Sequence, residues 1–285
     1  MSLAAMAFGQ ARWVTSKPVV NMYSKPSLDA DVVSQAIYGV TVQQVASTDK
    51  SSVIPEGWIQ IKTPDDYTGW VLRESFLPLD EKENYAGKDK RVVTVANRGA
   101  NVYREPDVTE HAPVLVLPFE AALEVIGVSE KQSDRWLKVR LTNGSEAWVQ
   151  RGDVQDRTGK LLSIPESIEL AKKFLGVTYT WGGTSSFGFD CSGFTQMLMR
   201  QRGVVMPRDA DVQARWDGFV TVKKEDLKAG DLLFFGTEKS ITHTGMYIGN
   251  GEFIHDTTHD HPMVQISRLG DPYWTKLLVI AKRTK

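Results

Sequence analysis

The segment Phe187-Gly188-Phe189-Asp190-Cys191-Ser192-Gly193-Phe194 decides how this chain is interpreted, because it holds the only cysteine in 285 residues. Phe194, Met197 and Leu198 recur at helical spacing, which predicts a helix that begins at the cysteine. Cys191 would then lie in the first helical turn, where N–H groups and the helix dipole favour a thiolate. Cys191 is therefore a candidate nucleophile, and the alternative is an inert buried cysteine.

Two histidines follow the cysteine in a predicted antiparallel hairpin. The strands that contain His243 and His255 are joined by the short turn Gly249-Asn250-Gly251, so the two side chains should be near neighbours. A thiol nucleophile needs a base, which histidine provides near neutral pH, and the base needs a polar group to fix its tautomer. The pattern predicts the cysteine, histidine and polar third residue of papain-like peptidases.

The first half of the chain contains a repeat. Trp58 and Trp70 recur 78 residues later as Trp136 and Trp148, and Asn21-Met-Tyr23 recurs as Asn101-Val-Tyr103. Short alternating stretches between turn residues predict strands, so each copy is expected to form a small all-β barrel with its tryptophans in the core. The polar segment 80–90 is predicted to be a linker.

Composition indicates an ordinary globular protein, with 41% hydrophobic and 24% charged residues. The net charge of −1 and the lack of a basic run give no reason to expect a nucleic-acid partner. No apolar run approaches the roughly 20 residues that span a bilayer. The first residues lack the basic region of a signal peptide, so we expect a cytoplasmic protein, or an exported or wall-associated one whose leader was removed.

The second half resembles the NlpC/p60 family of papain-like cysteine peptidases over residues 160–285. The motifs that carry the resemblance occur in the family's order: Tyr179-x-Trp-Gly-Gly, Asp190-Cys-Ser-Gly, Pro207-Arg, Gly230-Asp-Leu-Leu-Phe-Phe, His243-x-Gly-x-Tyr-Ile-Gly and Ile254-His255. The resemblance implies hydrolysis of peptidoglycan stem peptides. It makes Cys191 the nucleophile, His243 the general base and acid, His255 the residue that orients it, and Tyr179 an oxyanion donor. We expect no cofactor.

The repeated half resembles bacterial SH3-like (SH3b) domains, which commonly accompany cell-wall enzymes. The predicted fold is therefore multidomain, with two small SH3-like barrels at 1–82 and 83–157. An α+β papain-like peptidase domain of the NlpC type follows at 158–285, because helices there precede a run of strands.

This combination resembles the γ-D-glutamyl-L-diamino acid endopeptidases, also called dipeptidyl-peptidase VI. These enzymes remove L-Ala-γ-D-Glu from peptides that have a free N-terminal L-alanine, and the first SH3-like domain closes one end of their cleft. By this resemblance, Asp209 and Tyr67 would receive the ammonium group, and Arg208 and Ser192 the D-glutamate carboxylate. Asp190 and Trp181 would line the cleft. The preference for L-lysine or meso-diaminopimelate at the leaving side stays open.

Two positions depart from that subgroup. Val40 stands where an acidic residue is expected, and Ala210 stands where a serine is common. Asp65, Asp66 or Glu74 could supply the missing carboxylate.

Several alternatives remain open. Arg208 and Asp209 could form a surface ion pair, Asp190 could simply cap the cysteine helix, and Trp181 could be a core residue. The segment from His255 to His261 offers three imidazoles and two carboxylates at metal-ligand spacing. The whole protein could also be a non-catalytic wall-binding protein, or an amidase or acyltransferase on the same scaffold.

Overall fold

The computed structural model describes residues 11–46, 54–80, 84–132 and 134–285. The described part of the chain contains two seven-stranded antiparallel sheets, followed by a unit of four α-helices and a six-stranded antiparallel sheet. The predicted features of residues 1–10 lie outside the described residues.

The two seven-stranded sheets have the same connectivity. The first contains β1 (Arg12–Thr15), β2 (Val19–Tyr23), β3 (Val32–Ile37), β4 (Thr41–Gln44), β5 (Trp58–Lys62), β6 (Thr68–Leu72) and β7 (Phe76–Leu79). The second contains β8 (Val92–Val95), β9 (Gly99–Tyr103), β10 (Leu115–Pro118), β11 (Ala122–Val128), β12 (Trp136–Arg140), β13 (Glu146–Gln150) and β14 (Val154–Asp156). Their strand orders, β3-β2-β6-β5-β4-β1-β7 and β10-β9-β13-β12-β11-β8-β14, correspond strand for strand. The sequence repeat is therefore a structural repeat.

The repeated aromatic residues occupy equivalent positions, but only half of the repeated tryptophans are core residues. Tyr23 meets Trp58 edge to face at 5.6 Å, and Tyr103 meets Trp136 in the same way at 5.6 Å. Trp136 is completely buried and Trp70 is 6% exposed. Trp58 and Trp148 are only half-buried. The prediction that all four fill the cores is thus wrong for these two, whose indoles pack on the barrel surface.

The two sheet units pack tightly against each other. Tyr38 of the first unit is 1% exposed and belongs to the hydrophobic core of the second, where its hydroxyl accepts a hydrogen bond of 2.9 Å from the Thr142 amide. Gly39 has a φ of +80°, and a Cβ there would lie 2.8 Å from the Ala122 carbonyl oxygen. Tyr85, within the predicted linker, packs edge to face on Tyr38 and donates to the Arg140 carbonyl. The described part of that linker is therefore packed rather than free.

The third unit contains four helices and a six-stranded sheet. Three of the helices precede the strands of this sheet in the chain, and the fourth lies between its last two strands. The helices are α1 (Ile164–Lys173), α2 (Cys191–Gln201), α3 (Ala210–Arg215) and α4 (Pro272–Leu277), and a small hairpin of β15 (Thr184–Ser185) and β16 (Gly188–Phe189) precedes α2. The sheet contains β17 (Phe219–Val222), β18 (Leu232–Thr237), β19 (Ser240–Gly249), β20 (Glu252–Thr257), β21 (Met263–Arg268) and β22 (Leu278–Thr284), in the order β17-β22-β18-β19-β20-β21. Helix α2 packs against β19 and β20, which brings the cysteine to the histidine strands.

Local sequence signals explain the helix boundaries. Ser163 and Glu166 form a reciprocal capping box at the start of α1. Phe174 is buried, whereas Leu175 is 37% exposed because the helix has already ended. None of the helices in the described residues is long and apolar enough to cross a membrane.

Candidate active site

Cys191 is the first residue of α2, and Asp190 is its N-cap. The Asp190 carboxylate accepts a 2.7 Å hydrogen bond from the Gly193 amide and a 3.0 Å bond from the Gly182 amide. One side chain thus caps the cysteine helix and holds the loop that carries Trp181. The predicted helix start and the capping alternative for Asp190 are both confirmed.

Arg208 forms a buried ion pair with Asp190. Its guanidinium donates to the two carboxylate oxygens at 2.6 and 3.0 Å and to the Ser192 hydroxyl at 2.7 Å. Arg208 is 2% exposed and Asp190 is 7% exposed. The alternative of a surface ion pair between Arg208 and Asp209 is therefore wrong, because Arg208 points inward to Asp190. Ser192 donates in turn to Asp190 at 3.2 Å, so the predicted carboxylate ligands Arg208 and Ser192 belong to one buried network.

The two predicted catalytic histidines are in direct contact. His243 Nε2 and His255 Nδ1 are 2.7 Å apart, as the hairpin geometry predicted. His255 Nε2 lies 2.9 Å from the Ser267 hydroxyl. Ser267 was not identified from the sequence, because it lies on β21, diagonally across from His255, and nothing in the local sequence marks this pairing.

Aromatic rings fix the histidine pair in place. Trp274 is 4% exposed and packs edge to face on His255, with ring centroids 4.8 Å apart. His243 lies against the same indole at 5.2 Å. Such close packing restricts both imidazoles to one orientation, which a proton-transfer group requires.

The nucleophile is adjacent to the histidine strand. The backbone N–H groups of Thr244, the residue after His243, and of Ser192 are near enough to Cys191 to lower the pKa of its thiol in part. Burial and the nearby Asp190 carboxylate nevertheless raise the pKa of the Cys191 thiol to about 12. The sequence-based prediction of a resting thiolate is therefore wrong, because burial and a like charge outweigh the helix N-terminus.

Burial also keeps the histidines neutral. It lowers the pKa of His243 to about 3, with a partly compensating effect of Asp190, and it lowers the pKa of His255 well below its ordinary value. The resting site is accordingly a thiol beside two neutral imidazoles. In that state His243 can accept the thiol proton as the sulfur attacks a carbonyl.

Two further side chains lie close to the cysteine. Burial and the proximity of Cys191 raise the pKa of Tyr179, which is half-buried, so its phenol remains protonated and able to donate. Asp256, which the sequence placed only in the metal alternative, is completely buried. Its oxygens make no hydrogen bond of good geometry within the described residues, although the Thr257 amide is near enough to offset part of the burial effect. Burial, and then Asp190, raise the pKa of Asp256 to about 8.

The first sheet unit contributes a residue to this region. The hydroxyl of Tyr67 lies 3.2 and 3.3 Å from the two carboxylate oxygens of Asp209, across the boundary between units. Burial, and then the Asp209 charge, raise the pKa of Tyr67 to about 12, and burial raises the pKa of Asp209. Trp181 is 69% exposed, so its alternative as a core residue is wrong.

The loop before Cys191 is also attached to the first sheet unit. Thr184 donates from its amide to the Gln35 side chain at 3.0 Å and from its hydroxyl to the Gln35 carbonyl at 3.3 Å. A Cβ at Gly182 would lie 2.6 Å from the Val32 carbonyl oxygen. Strand β3 therefore supports the loop that carries Trp181.

Three candidates for the missing carboxylate occupy different positions. Asp65 binds Thr63 and Gln196 near Tyr67. Asp66 is exposed and pairs with Lys62 at 2.8 Å. Glu74 lies in an exposed 3-10 turn, Arg73–Ser75. Of the three, Asp65 is the one whose hydrogen bonds reach the peptidase unit, through Gln196.

The residues of the metal alternative do not converge on one point. His259 stacks on Tyr273 with parallel rings 3.7 Å apart, and both ring nitrogens of His255 face His243 and Ser267. The described residues contain no group of three or more His, Cys, Asp or Glu side chains suited to a metal ion.

A cysteine at a helix N-terminus, near a pair of hydrogen-bonded histidines on an antiparallel sheet, defines the class of papain-like cysteine peptidases. The comparisons with known proteins agree with this class. The NlpC/P60 family matches residues 176–283, and the bacterial SH3 domain matches residues 18–77. The chain is 31% identical to the gamma-D-glutamyl-L-lysine dipeptidyl-peptidase of Bacillus cereus, over 88% of this chain and 74% of that protein. It is 29% identical to the protein of the same name from Bacillus subtilis, over 90% of this chain and 82% of that protein.

The chain belongs to the NlpC/P60 family, and it is a cysteine peptidase with an N-terminal SH3-like all-β region. A crystal structure of an NlpC/P60 family protein from Bacillus cereus has the same fold, with a TM-score of 0.79 over 96% of this chain and 99% of that one, at 24% identity.

Proposed function

We propose that this peptidase cleaves the γ-D-glutamyl–L-diamino acid bond of peptidoglycan stem peptides that carry a free N-terminal L-alanine, and so releases L-Ala-γ-D-Glu. The names of the Bacillus relatives support the substrate class. The observation that carries the proposal is the contact between Tyr67 and Asp209, because it places a carboxylate and a phenol from two units together. A free ammonium group would pair with this carboxylate, whereas an acylated amine would not.

We assign the chemistry to Cys191, His243, His255 and Tyr179. His243 uses Nε2 to contact His255, which leaves Nδ1 to accept the thiol proton. Both contacts are hydrogen bonds when each histidine carries its proton on Nε2. The Nε2–H of His243 then donates to Nδ1 of His255, and the Nε2–H of His255 donates to the Ser267 hydroxyl. The second histidine then fixes the tautomer of the first, and Ser267 fixes the tautomer of the second.

The reaction proceeds through an acyl-enzyme. The Cys191 sulfur attacks the γ-carbonyl carbon while its proton passes to His243, and the resulting oxyanion accepts hydrogen bonds from Tyr179 and the Cys191 amide. The protonated His243 then donates its proton to the leaving amine, and the C–N bond breaks. Water, deprotonated by His243, hydrolyses the thioester, which restores the thiol and releases the dipeptide acid.

The arrangement of units supports a cleft that is closed at one end. We infer a first SH3-like domain at 1–82, a second at 83–157 and the peptidase domain at 158–285. The matching strand orders support a second SH3-like domain, and the contacts of Thr184 with Gln35 support a wall formed by the first. Trp181 and Asp190 would line this cleft. Arg208 would supply the positive charge, and the hydrogen-bonded Ser192 a polar hydroxyl group, for the D-glutamate α-carboxylate.

The proposal is tested with L-Ala-γ-D-Glu-L-Lys and its N-acetylated form, with products identified by mass. We expect L-Ala-D-Glu only from the unblocked peptide, and no product from either peptide with the Cys191→Ala variant. Equal cleavage of both peptides would refute the requirement for a free amine and leave the peptidase assignment intact. Cleavage at another bond would favour the amidase or acyltransferase alternative.

A further inference from the structure

Gln196 lies on α2, five residues after the nucleophile, and is 3% exposed. Its side-chain nitrogen donates two hydrogen bonds to two different segments of the chain. One bond, of 2.9 Å, goes to the Asp65 carboxylate in the first sheet unit, and the other, of 3.0 Å, goes to the Met206 carbonyl in the peptidase unit. A buried amide whose two N–H groups are both engaged holds its partners in a fixed relative position.

Both partners lead directly to the pair that we assign to the substrate ammonium. Asp65 lies two residues before Tyr67, and Met206 lies three residues before Asp209. The turn that carries Tyr67 is closed by a 2.9 Å bond from the Thr63 amide to the Tyr67 carbonyl. The Thr63 hydroxyl also donates to Asp65 at 2.6 Å. Asp65 and Tyr67 therefore belong to one hydrogen-bonded turn, and a displacement of Asp65 should carry Tyr67 with it.

We propose that Gln196 is a positioning residue for substrate specificity: it sets the separation of Tyr67 and Asp209 and links that separation to the nucleophile helix. The inference rests on the proposed function, because it deepens the assignment of the Tyr67–Asp209 pair. Gln196 itself contacts neither residue of the pair. Its influence passes through Asp65 on one side and Met206 on the other.

The same helix offers a matched control. Gln201, also on α2, donates from its side-chain nitrogen to Glu120 of the second sheet unit at 2.6 Å. A Gln201→Leu variant therefore makes the same chemical change in the same helix and also breaks a contact to a sheet unit. The second sheet unit contributes no residue to the Tyr67–Asp209 pair. The preference of the Gln201→Leu variant for the unblocked peptide should therefore stay that of the natural chain.

The test measures kcat and KM for L-Ala-γ-D-Glu-L-Lys and for its N-acetylated form. For Gln196→Leu we expect kcat/KM on the unblocked peptide to fall between about tenfold and about a hundredfold, mainly through KM, since the change displaces a binding group rather than the reacting atoms. The ratio between the two peptides should fall with it. Gln201→Leu should keep the ratio of the natural chain.

A double variant separates positioning from a general loss of structure. In a Tyr67→Phe background, Gln196→Leu should cause little further loss of discrimination, because both changes affect one pair. Asp65→Ala removes the other half of the same contact from a partly exposed turn, so it reports on the link even where Gln196→Leu does not fold.

Three results would overturn the inference. The first is unchanged discrimination between the two peptides in both Gln196→Leu and Asp65→Ala. The second is a loss of discrimination in Gln201→Leu equal to that in Gln196→Leu, and the third is that the losses of discrimination in Gln196→Leu and Tyr67→Phe add fully in the double variant. They are distinguishable from failure of the proposed function, in which the natural chain itself would cleave blocked and unblocked peptides equally.

Discussion

Asp256 provides a test of the electrostatics of the site, because a carboxyl group that must stay protonated in the folded state makes the protein less stable as the pH rises. The carboxyl group is completely buried without a hydrogen bond of good geometry among the described residues, and its pKa is raised from 3.8 to about 8. Between these values the folded state binds a proton that the unfolded state has released. Stability therefore falls as pH rises, by about 1.4 kcal/mol per pH unit.

The difference between the two pKa values sets how much stability the Asp256 carboxyl group removes at each pH. At pH 7 the buried acid lowers the free energy of unfolding by about 4 kcal/mol, and at pH 5 by less than about 2 kcal/mol. Asp256→Asn removes this pH-dependent loss of stability, but it buries an amide, which costs about 1–3 kcal/mol at every pH. The stability of the variant relative to the natural chain should therefore increase by about 3 kcal/mol from pH 5 to pH 7.

Urea unfolding at the two pH values, followed by circular dichroism, measures this difference. Asp260→Asn is the control, because Asp260 is an exposed carboxylate at a φ of +61°, a conformation that asparagine also adopts readily. It should show no comparable dependence on pH. A relative gain for Asp256→Asn below about 1 kcal/mol would refute the raised pKa and the neutral state of this acid.

Three further substitutions test the network around Cys191. Arg208→Met should lower the free energy of unfolding, measured in urea, by about 3–5 kcal/mol, because it leaves Asp190 buried without its ion partner. The control Arg215→Met removes an exposed ion pair and should lower it by at most about 1 kcal/mol. Equal losses in the two variants would contradict the argument from burial. Gly193→Ala should abolish activity and lower the thermal midpoint, because its Cβ would lie 2.1 Å from the Gly183 carbonyl oxygen, and a normally active variant would show that this approach is not tight. Trp181→Ala should leave the thermal midpoint unchanged and raise KM, because the indole is 69% exposed; a large loss of stability would indicate a structural role instead.

Local sequence patterns predicted the parts of the site that depend on short-range rules. The helical spacing after Cys191 located the start of α2, and the turn between His243 and His255 brought the two imidazoles to 2.7 Å. The contact between Tyr67 and Asp209 spans 142 residues and was expected only through the family resemblance.

Other parts of the site depend on how the units pack, which no local pattern encodes. Ser267 was missed because its role follows from the pairing of β20 with β21. The pKa of Cys191 was predicted with the wrong sign because helix position was visible in the sequence while the depth of burial was not. The alternative of a surface ion pair for Arg208 arose because the sequence does not reveal that the guanidinium turns toward Asp190.

The hydrogen bonds between Thr184 and Gln35 have a consequence for how this architecture can change during evolution. They join backbone and side chain of β3 to the loop that precedes the nucleophile, so the N-terminal module is fused into the peptidase rather than attached by a tether. Deleting that module would remove the support of the loop that carries Trp181 and would destabilise the residues that lead to Cys191. Evolutionary loss of this module would therefore have to be accompanied by remodelling of the loop before Cys191.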